Sequence, residues 1–303
     1  MTVSVSALDS SDISAECAVL ISQQTGEVIF KKNAYKHHSM ASTTKIMTSL
    51  LAAQSGKLHD EITVSKEMIL VEGTSMGLLP GDSVSLYELI YGMLLPSGND
   101  AANVTAYYLG GNVENFVKKM NAKAKEIGME NTNFVTPSGL DDEMHYSTAY
   151  DMALLGRYAV GDPVFRSVCS SKKASLSYGN PPYKRTLYNH NRLLESYKYA
   201  LGIKTGFTKK SGRCLVSYAE KDGTGLIAVT LNAPNDWNDH KLMLDYGFSK
   251  LKRYVFKPII PEYMDVVGGN VENLKISCEQ FEYDSLEHRN VIQKLVIDKF
   301  AYA

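Results

Sequence analysis

Cys17 to Ala53 reads CAVLISQQTGEVIFKKNAYKHHSMASTTKIMTSLLAA, and the order of elements in that stretch decides the fold. Cys17 to Ile21 is an unbroken apolar run, Gln23-Gln24-Thr25-Gly26 supplies turn chemistry, and Val28 to Phe30 resumes the run. Together these predict a β-hairpin. Ile46, Met47, Leu50 and Leu51 then recur at the helical period, predicting a helix over Ser42 to Ala53 that Gly56 stops. A hairpin needs further strands to bury its faces, and the next strand signals lie near the other end of the chain.

Those signals are the short apolar runs Leu201 to Phe207, Cys214 to Ala219 and Leu226 to Leu231, punctuated by Gly212 and by Asp222-Gly223. Trp237 to Leu251 follows as a helix. The middle of the chain is helical in pattern. Leu86 to Leu95 ends at Pro96, Asp100 to Leu109 ends at Gly110-Gly111, and a segment from Val113 to Ile127 ends at Gly128. Tyr150 to Tyr158 is a further short helix, and a polar stretch rich in Tyr and Ser comes after it. The sheet is thus assembled from both ends of the domain, which predicts an α/β sandwich with a helical insertion. Beyond Pro258 and Pro261 the composition shifts, and Met264 to Val267, Leu274 to Cys278 and Val291 to Ile297 are expected as short strands. The expected organisation is a disordered leader over 1–14, an enzyme domain over 15–257, and the beginning of a small β-rich domain over 258–303.

Bulk properties narrow the function. The chain has 303 residues, 44% hydrophobic and 21% charged, with a formal net charge of -1. That balance lacks the basic surplus of a nucleic-acid binder, so no nucleic-acid partner is expected. No stretch is long and apolar enough to span a membrane. Met1 to Ala7, reading MTVSVSA, lacks the charged region and apolar core of a signal peptide. Cys17, Cys169, Cys214 and Cys278 form no CxxC pair, so neither a metal nor a redox cofactor is expected. Cys17 and Cys214 sit in strand-like stretches and are expected as buried, inert thiols.

Three polar constellations carry chemistry. In Ser42-Thr43-Thr44-Lys45 the serine and lysine lie one helical turn apart on one face, so the amine reaches the hydroxyl. A serine becomes a nucleophile when a base takes its proton, and burial or a nearby cation keeps a lysine neutral enough to be that base. The same spacing recurs at Ser170 to Lys173 and at Ser249 to Lys252, but only Ser42 opens an apolar helix directly after a hairpin. Ser97-Gly98-Asn99 sits on a tight loop between two helices, where a hydroxyl and an amide can face a cleft; the simpler reading makes Asn99 or Asp100 a helix cap. Lys204-Thr205-Gly206 lies within a strand, where the glycine lets a substrate backbone approach and pair with the edge. The simpler reading there is a protective lysine on an exposed edge. A second string, Lys210-Ser211-Gly212, falls in a turn. The histidines show no ligand spacing and no aspartate partner for a triad.

The three motifs in this order are the known set of penicillin-binding proteins and β-lactamases. The sequence resembles the D-alanyl-D-alanine carboxypeptidases among the low-molecular-mass penicillin-binding proteins. The resemblance covers roughly residues 15–257 and rests on Met40 to Met47, Leu94 to Ala102, Phe134 to Leu140 (FVTPSGL), His145 to Leu154, Asn189 to Leu194, and Gly202 to Thr208 (GIKTGFT). It implies a β-lactamase/DD-peptidase-like fold, a mainly antiparallel sheet flanked by helices with a helical subdomain. It implies Ser42 as the acylated nucleophile, Lys45 as its base and Ser97 as a proton relay. Asn99 would position the substrate amide, and Lys204 with Thr205 would receive the terminal carboxylate. Gly206 and Phe207 would complete the binding strand, with the N–H groups of Ser42 and Phe207 as an oxyanion hole.

The partners so implied are peptidoglycan stem peptides ending in D-Ala-D-Ala, and β-lactam antibiotics. The implied location is extracytoplasmic, at the outer face of the bacterial cytoplasmic membrane or in the wall. Membrane attachment is expected only through a C-terminal segment beyond this sequence. The segment from Asn232 to Lys241, with Trp237 and His240, is less typical and has no functional reading. Three rival functions stay open: a β-lactamase, a transpeptidase or endopeptidase, and a silent wall-binding protein. The first would need a base for fast deacylation, and no matching glutamate-to-asparagine string precedes Lys204. Cleft shape, which spacing does not reveal, decides the second. The intact Ser42, Lys45, Ser97 and Lys204 argue against the third.

Overall fold

In the computed structural model of the chain, residues 8–260, 262–265, 273–275 and 277–287 are described. The chain divides into two compact units between Ser249 and Lys250. The first opens with the hairpin β1 (Cys17–Ser22) and β2 (Val28–Lys32), then a 3-10 turn over Ala41–Thr44 that runs into α1 (Lys45–Ala53). A ribbon of β3 (Glu61–Thr63) and β4 (Ser83–Ser85) precedes five helices: α2 (Leu86–Leu94), α3 (Asn99–Gly110), α4 (Val113–Ile127), α5 (Ala149–Ala159) and α6 (Pro163–Cys169). A second hairpin, β5 (Lys173–Gly179) and β6 (Pro182–Tyr188), and one helical turn, α7 (Leu193–Ser196), come next. Three long strands, β7 (Ala200–Thr208), β8 (Gly212–Lys221) and β9 (Thr224–Leu231), lead to α8 (Asp236–Lys250).

The main sheet has the order β2-β1-β9-β8-β7, with every pair antiparallel. As the sequence predicts, it is built from both ends: Cys17 lies opposite Leu231, and Ser22 opposite Leu226. β1 is buried at every position, which is why it reads as a continuous apolar run instead of an alternating one. Helices cover both faces. Gly156 of α5 lies where a Cβ would come within 3.1–3.3 Å of Val216, Ile203 and Ile227, while one on Gly247 of α8 would come within 2.7–2.8 Å of Leu20 and Leu226. Leu226 and Ile227 are neighbours on β9 and so point to opposite faces. One edge of the sheet is β7, and it carries Lys204-Thr205-Gly206 in its middle.

Local chemistry sets the helix ends. Ser85 and Glu88 close a capping box on α2. Gly111 and Gly128, both left-handed, end α3 and α4 as the sequence predicts. Some elements were not predicted. Asp162 caps α6 with Pro163 at its first turn, a start signal present in the sequence but masked by the polar surroundings. β5 and β6 pair along their whole length within that same polar stretch.

Four expectations change. The helix predicted from Ser42 starts as a 3-10 turn, because Ala41 (φ 45) enters it from the left-handed region. Neither Asn99 nor Asp100 caps α3; Gly98 holds that position, and the Asp100 carboxylate turns elsewhere. From Leu8 onward the expected leader is ordered: Asp9 and Asp12 form a capping box, Ile13 is buried, and Ser14 bonds to Asp239. Met1 to Ala7 lie outside the described residues. The second unit starts before Pro258, because β10 (Lys252–Phe256) pairs with β13 (Phe281–Ser285) and not with the main sheet.

Within that unit Tyr254 stacks on Tyr283 and Phe256 meets Phe281. A two-stranded ribbon of β11 (Tyr263–Asp265) and β12 (Asn273–Lys275) takes the place of the first two strands expected there. Val291 to Ile297 lie outside the described residues. Among the described residues no helix is long and apolar enough to cross a membrane.

Candidate active site

The turn that starts α1 brings Ser42 and Lys45 together: Lys45 Nζ lies 2.9 Å from Ser42 Oγ and donates at 2.7 Å to the Ser138 carbonyl. Lys45 is wholly buried. Burial holds its pKa well below the ordinary value, and the neighbouring positive charge of Lys204 pushes it the same way, with Asp100 opposing. In the neutral amine one N–H serves Ser138 and the lone pair is free to accept the Ser42 proton. The turn itself is pinned from below. Thr44 Oγ1 donates to Ala41 O at 2.8 Å and lies 2.8 Å from His145 Nε2. His145 Nδ1 accepts from Val135 N at 2.9 Å, so the ring proton sits on Nε2 and points at Thr44. Burial lowers the His145 pKa to about 4, which keeps the ring neutral.

Ser97, with φ 67, and Asn99 stand on the loop between α2 and α3. The loop is welded to the segment before it. Thr74 Oγ1 donates to Ser97 O at 2.5 Å, Asn99 N donates to Thr74 O at 2.7 Å, and Asn99 Nδ2 donates to Glu72 O at 2.6 Å. Asn99 Oδ1 is buried and finds no donor in the protein. The next residue does the tying. Asp100 Oδ1 accepts from Met76 N, and Oδ2 accepts from Ser75 Oγ, Gly77 N and Leu78 N, all within 3.1 Å. Gly98 is required here, since a Cβ would meet Asp100 Oδ1 at 2.7 Å and Met76 N at 2.9 Å.

Lys204 is only 1% exposed and donates to Thr205 O at 2.8 Å, so it is no protective surface lysine. Burial lowers its pKa to about 7. Gly206 lets β7 close on the turn that carries Ser42: a Cβ there would lie 3.1 Å from both Met40 O and Ser42 N.

One cleft of about 510 Å³ gathers these motifs, lined by Ser42, Ser97, Asn99, Thr205, Gly206 and Phe207. Lys45 and Lys204 are buried behind that lining. Of the competing lysine motifs, neither Ser170 nor Ser249 lines it. Residues with no functional expectation also line it: Gly73, Thr74, Ser138, Leu140, His190, Arg192, Arg213, Asp236 and Trp237. Several of these lie in the family-like strings Phe134 to Leu140 and Asn189 to Leu194, so a signal for them was present. Arg213 and Asp236 lay in no motif at all. Arg213 Nη2 donates to Asp236 Oδ1 at 2.8 Å, and its guanidinium lies 5.4 Å from the Trp237 ring centre. His240, noted alongside Trp237, belongs to the core: it is buried between the hydroxyls of Ser217 and Thr230. Cys17 and Cys214 are buried, as expected, and burial raises both thiol pKa values.

The sequence model of the family described as D-alanyl-D-alanine carboxypeptidase matches residues 2–235. D-alanyl-D-alanine carboxypeptidase DacF of Bacillus subtilis is 38% identical over 250 residues, which are 79% of this chain and 64% of the relative. DacC of Escherichia coli is 36% identical over 257 residues, 80% of this chain and 63% of that one. The chain thus spans just under two thirds of the length of these two relatives. Among solved structures, the Streptomyces K15 DD-transpeptidase superposes with a TM-score of 0.76 at 30% identity, covering 81% of this chain and 100% of that one. A D-alanyl-D-alanine carboxypeptidase from Mycobacterium tuberculosis H37Rv gives a TM-score of 0.75 at 30% identity, covering 82% and 95%. The fold is the β-lactamase/DD-peptidase-like fold that the sequence predicts.

Proposed function

Since the chain belongs to the D-alanyl-D-alanine carboxypeptidase family, we propose that its cleft removes the terminal D-alanine from peptidoglycan stem peptides through an acyl-enzyme on Ser42. The observation that carries this reading is the 2.9 Å approach of Ser42 Oγ to a wholly buried Lys45 amine. Neutral Lys45 takes the Ser42 proton as Oγ attacks the carbonyl of the penultimate D-alanine. The resulting oxyanion is received by the N–H groups of Ser42 and Phe207, each such donor contributing about 3 kcal/mol. The Gly206 approach to Ser42 N supports that pairing. Ser97 delivers a proton to the departing amine, and Asn99 holds the peptide carbonyl. Lys204 and Thr205 form the carboxylate end of the site, and Lys204 also keeps Lys45 short of its proton. Water then hydrolyses the ester, returning a proton to Ser42 Oγ.

β-Lactams present a reactive amide and a carboxylate in the same arrangement, so they acylate Ser42 and remain. The substrate lies outside the cytoplasm, which sets the place of action at the outer face of the membrane or in the wall. The test is intact mass after incubation with benzylpenicillin, wild type against Ser42→Ala, followed by D-alanine release from a stem pentapeptide. A stable adduct lost in the variant, together with release, is the expected result. A folded wild type that forms no adduct overturns the mechanism, and rapid drug turnover assigns a β-lactamase instead.

A further inference from the structure

The segment from Glu72 to Leu78 supplies Gly73 and Thr74 to the cleft wall, and it is gripped from two sides. On one side Glu72 O and Thr74 O accept from Asn99, Thr74 Oγ1 donates to Ser97 O, and Asp100 gathers the N–H groups of Met76, Gly77 and Leu78. The fit there is close, since a Cβ on Gly73 would lie 2.5 Å from Asn99 Nδ2. On the other side the carbonyls of Met76 and Gly77 turn to the β5–β6 hairpin. Tyr178 Oη donates to Met76 O at 3.0 Å, and Arg185 Nη1 donates to Gly77 O and, at 3.5 Å, to Met76 O.

Arg185 is tightly enclosed. Tyr178 pairs with Tyr183 across the hairpin, and Arg185 stands two residues beyond Tyr183, so all three project from one face. The guanidinium lies 4.0 Å from the Tyr183 ring centre and 4.4 Å from that of Tyr178, and Nη2 stands 3.6 Å from Asp82 Oδ2. The side chain is 10% exposed, and Nε and Nη2 are buried without a hydrogen bond. A cation enclosed in this way is costly to desolvate. Buried donors are normally paired, and departures from that rule gather where function demands them. What the enclosure secures is direction: the two rings and Asp82 fix the planar fork with Nη1 on the Met76 and Gly77 carbonyls.

We propose that Arg185, which does not itself line the cleft, is a positioning residue for Ser97: by holding Met76 O and Gly77 O it fixes the Glu72–Leu78 segment, and that segment fixes Ser97 over the reacting bond. This rests on the carboxypeptidase reading, in which Ser97 delivers a proton to the departing amine. The link is short. Gly77 is three residues from Thr74, whose hydroxyl and carbonyl hold Ser97 O and Asn99 N. Ser97 sits at φ 67, a conformation that its surroundings must impose on a serine.

The test varies the leaving group. An amide nitrogen needs a proton to depart, whereas an ester oxygen departs with much less help, so a misplaced Ser97 slows a peptide more than an ester. kcat/KM is compared for diacetyl-L-Lys-D-Ala-D-Ala and diacetyl-L-Lys-D-Ala-D-lactate in the wild type, Arg185→Met, Arg185→Lys and Tyr178→Phe. Each protein is also melted, and rates are read well below the melting midpoint. Arg185→Met is expected to slow the peptide by about 10- to 100-fold and the ester by less than about 3-fold. Arg185→Lys, which returns a cation and a donor without the fork, recovers part of the loss. Tyr178→Phe removes a single hydroxyl from Met76 O and gives a smaller shift in the same direction, so it decides the matter if Arg185→Met does not fold. Equal slowing of peptide and ester, or no slowing in folded variants, overturns the inference and leaves the carboxypeptidase reading intact. A folded wild type that cleaves neither substrate overturns that reading, and the inference with it.

Discussion

His145 Nε2 stands 2.8 Å from Thr44 Oγ1 while its other ring nitrogen accepts from Val135 N, so one neutral imidazole ties the nucleophile turn to the loop that supplies Ser138 O to Lys45. This arrangement requires an unprotonated ring, because protonated Nδ1 cannot accept. The folded pKa is about 4 against an ordinary 6.5. The unfolded chain therefore binds more protons between those values, and stability falls as pH drops through that window. Urea denaturation of the wild type should lose up to about 3 kcal/mol between pH 6.5 and 4 from this group. His240, lowered to about 3 by burial, acts in the same direction. In His145→Gln the slope should shrink and penicillin acylation should slow; an undiminished slope would refute the assignment.

On the proposed mechanism the two lysines set the pH dependence of acylation. Lys204 lowers the Lys45 pKa through its charge. Replacing it by Met should therefore move the alkaline-rising limb of kcat/KM to higher pH, as read from penicillin acylation rates across pH 6 to 10. Stability moves too. Lys204 folds with a pKa of about 7 against an ordinary 10.5, so the unfolded state holds the extra proton between them and wild-type stability rises with pH across that interval. The Lys204→Met variant should rise less over the same range.

Asp100 gathers Ser75 Oγ and the N–H groups of Met76, Gly77 and Leu78 into one carboxylate that is 3% exposed. Asp100→Ala leaves these donors unpaired and frees the cleft wall that carries Gly73 and Thr74. The expected cost is about 3 kcal/mol in a denaturant melt, with faster proteolysis within residues 72–78. A loss under about 1 kcal/mol would show that the segment is held by its other contacts.

Gly139 and Gly128 form a matched pair, with φ 87 and 89. A Cβ on Gly128 meets nothing within 4 Å, whereas one on Gly139 would lie 2.0 Å from Ala41 O. Gly128→Ala should cost only the backbone strain, about 1 kcal/mol. Gly139→Ala must displace the nucleophile turn and should cost about 4 kcal/mol or prevent folding. Equal melting temperatures for the two variants would contradict this geometry.

Ser42 and Lys45 were legible because they communicate along one helical turn, a distance that sequence spacing encodes. So were the strands of the sheet, since burial on both faces leaves continuous apolar runs. Arg213 and Asp236 were not. They meet across a strand end and a helix start, and only the β7–β8 register turns Arg213 toward Thr205. The β5–β6 hairpin escaped for another reason: β5 does alternate, with Ala174, Leu176 and Tyr178 turned inward, but the short period is lost among the exposed polar residues around it. Asp100 read as a helix cap because a cap and a loop clasp ask for the same residue type.

The pairing of β1 with β9 has a consequence for how the protein comes into being. β1 has β2 beside it from the start, but its second neighbour, β9, is complete only when the chain has been made as far as Leu231, and a contact so distant in sequence is slow to form. Until the domain has folded, Lys45 lacks both the burial and the Lys204 charge that lower its pKa. On the proposed mechanism an unfinished chain therefore carries Ser42 as an ordinary hydroxyl, and its reactivity comes only with the completed sheet.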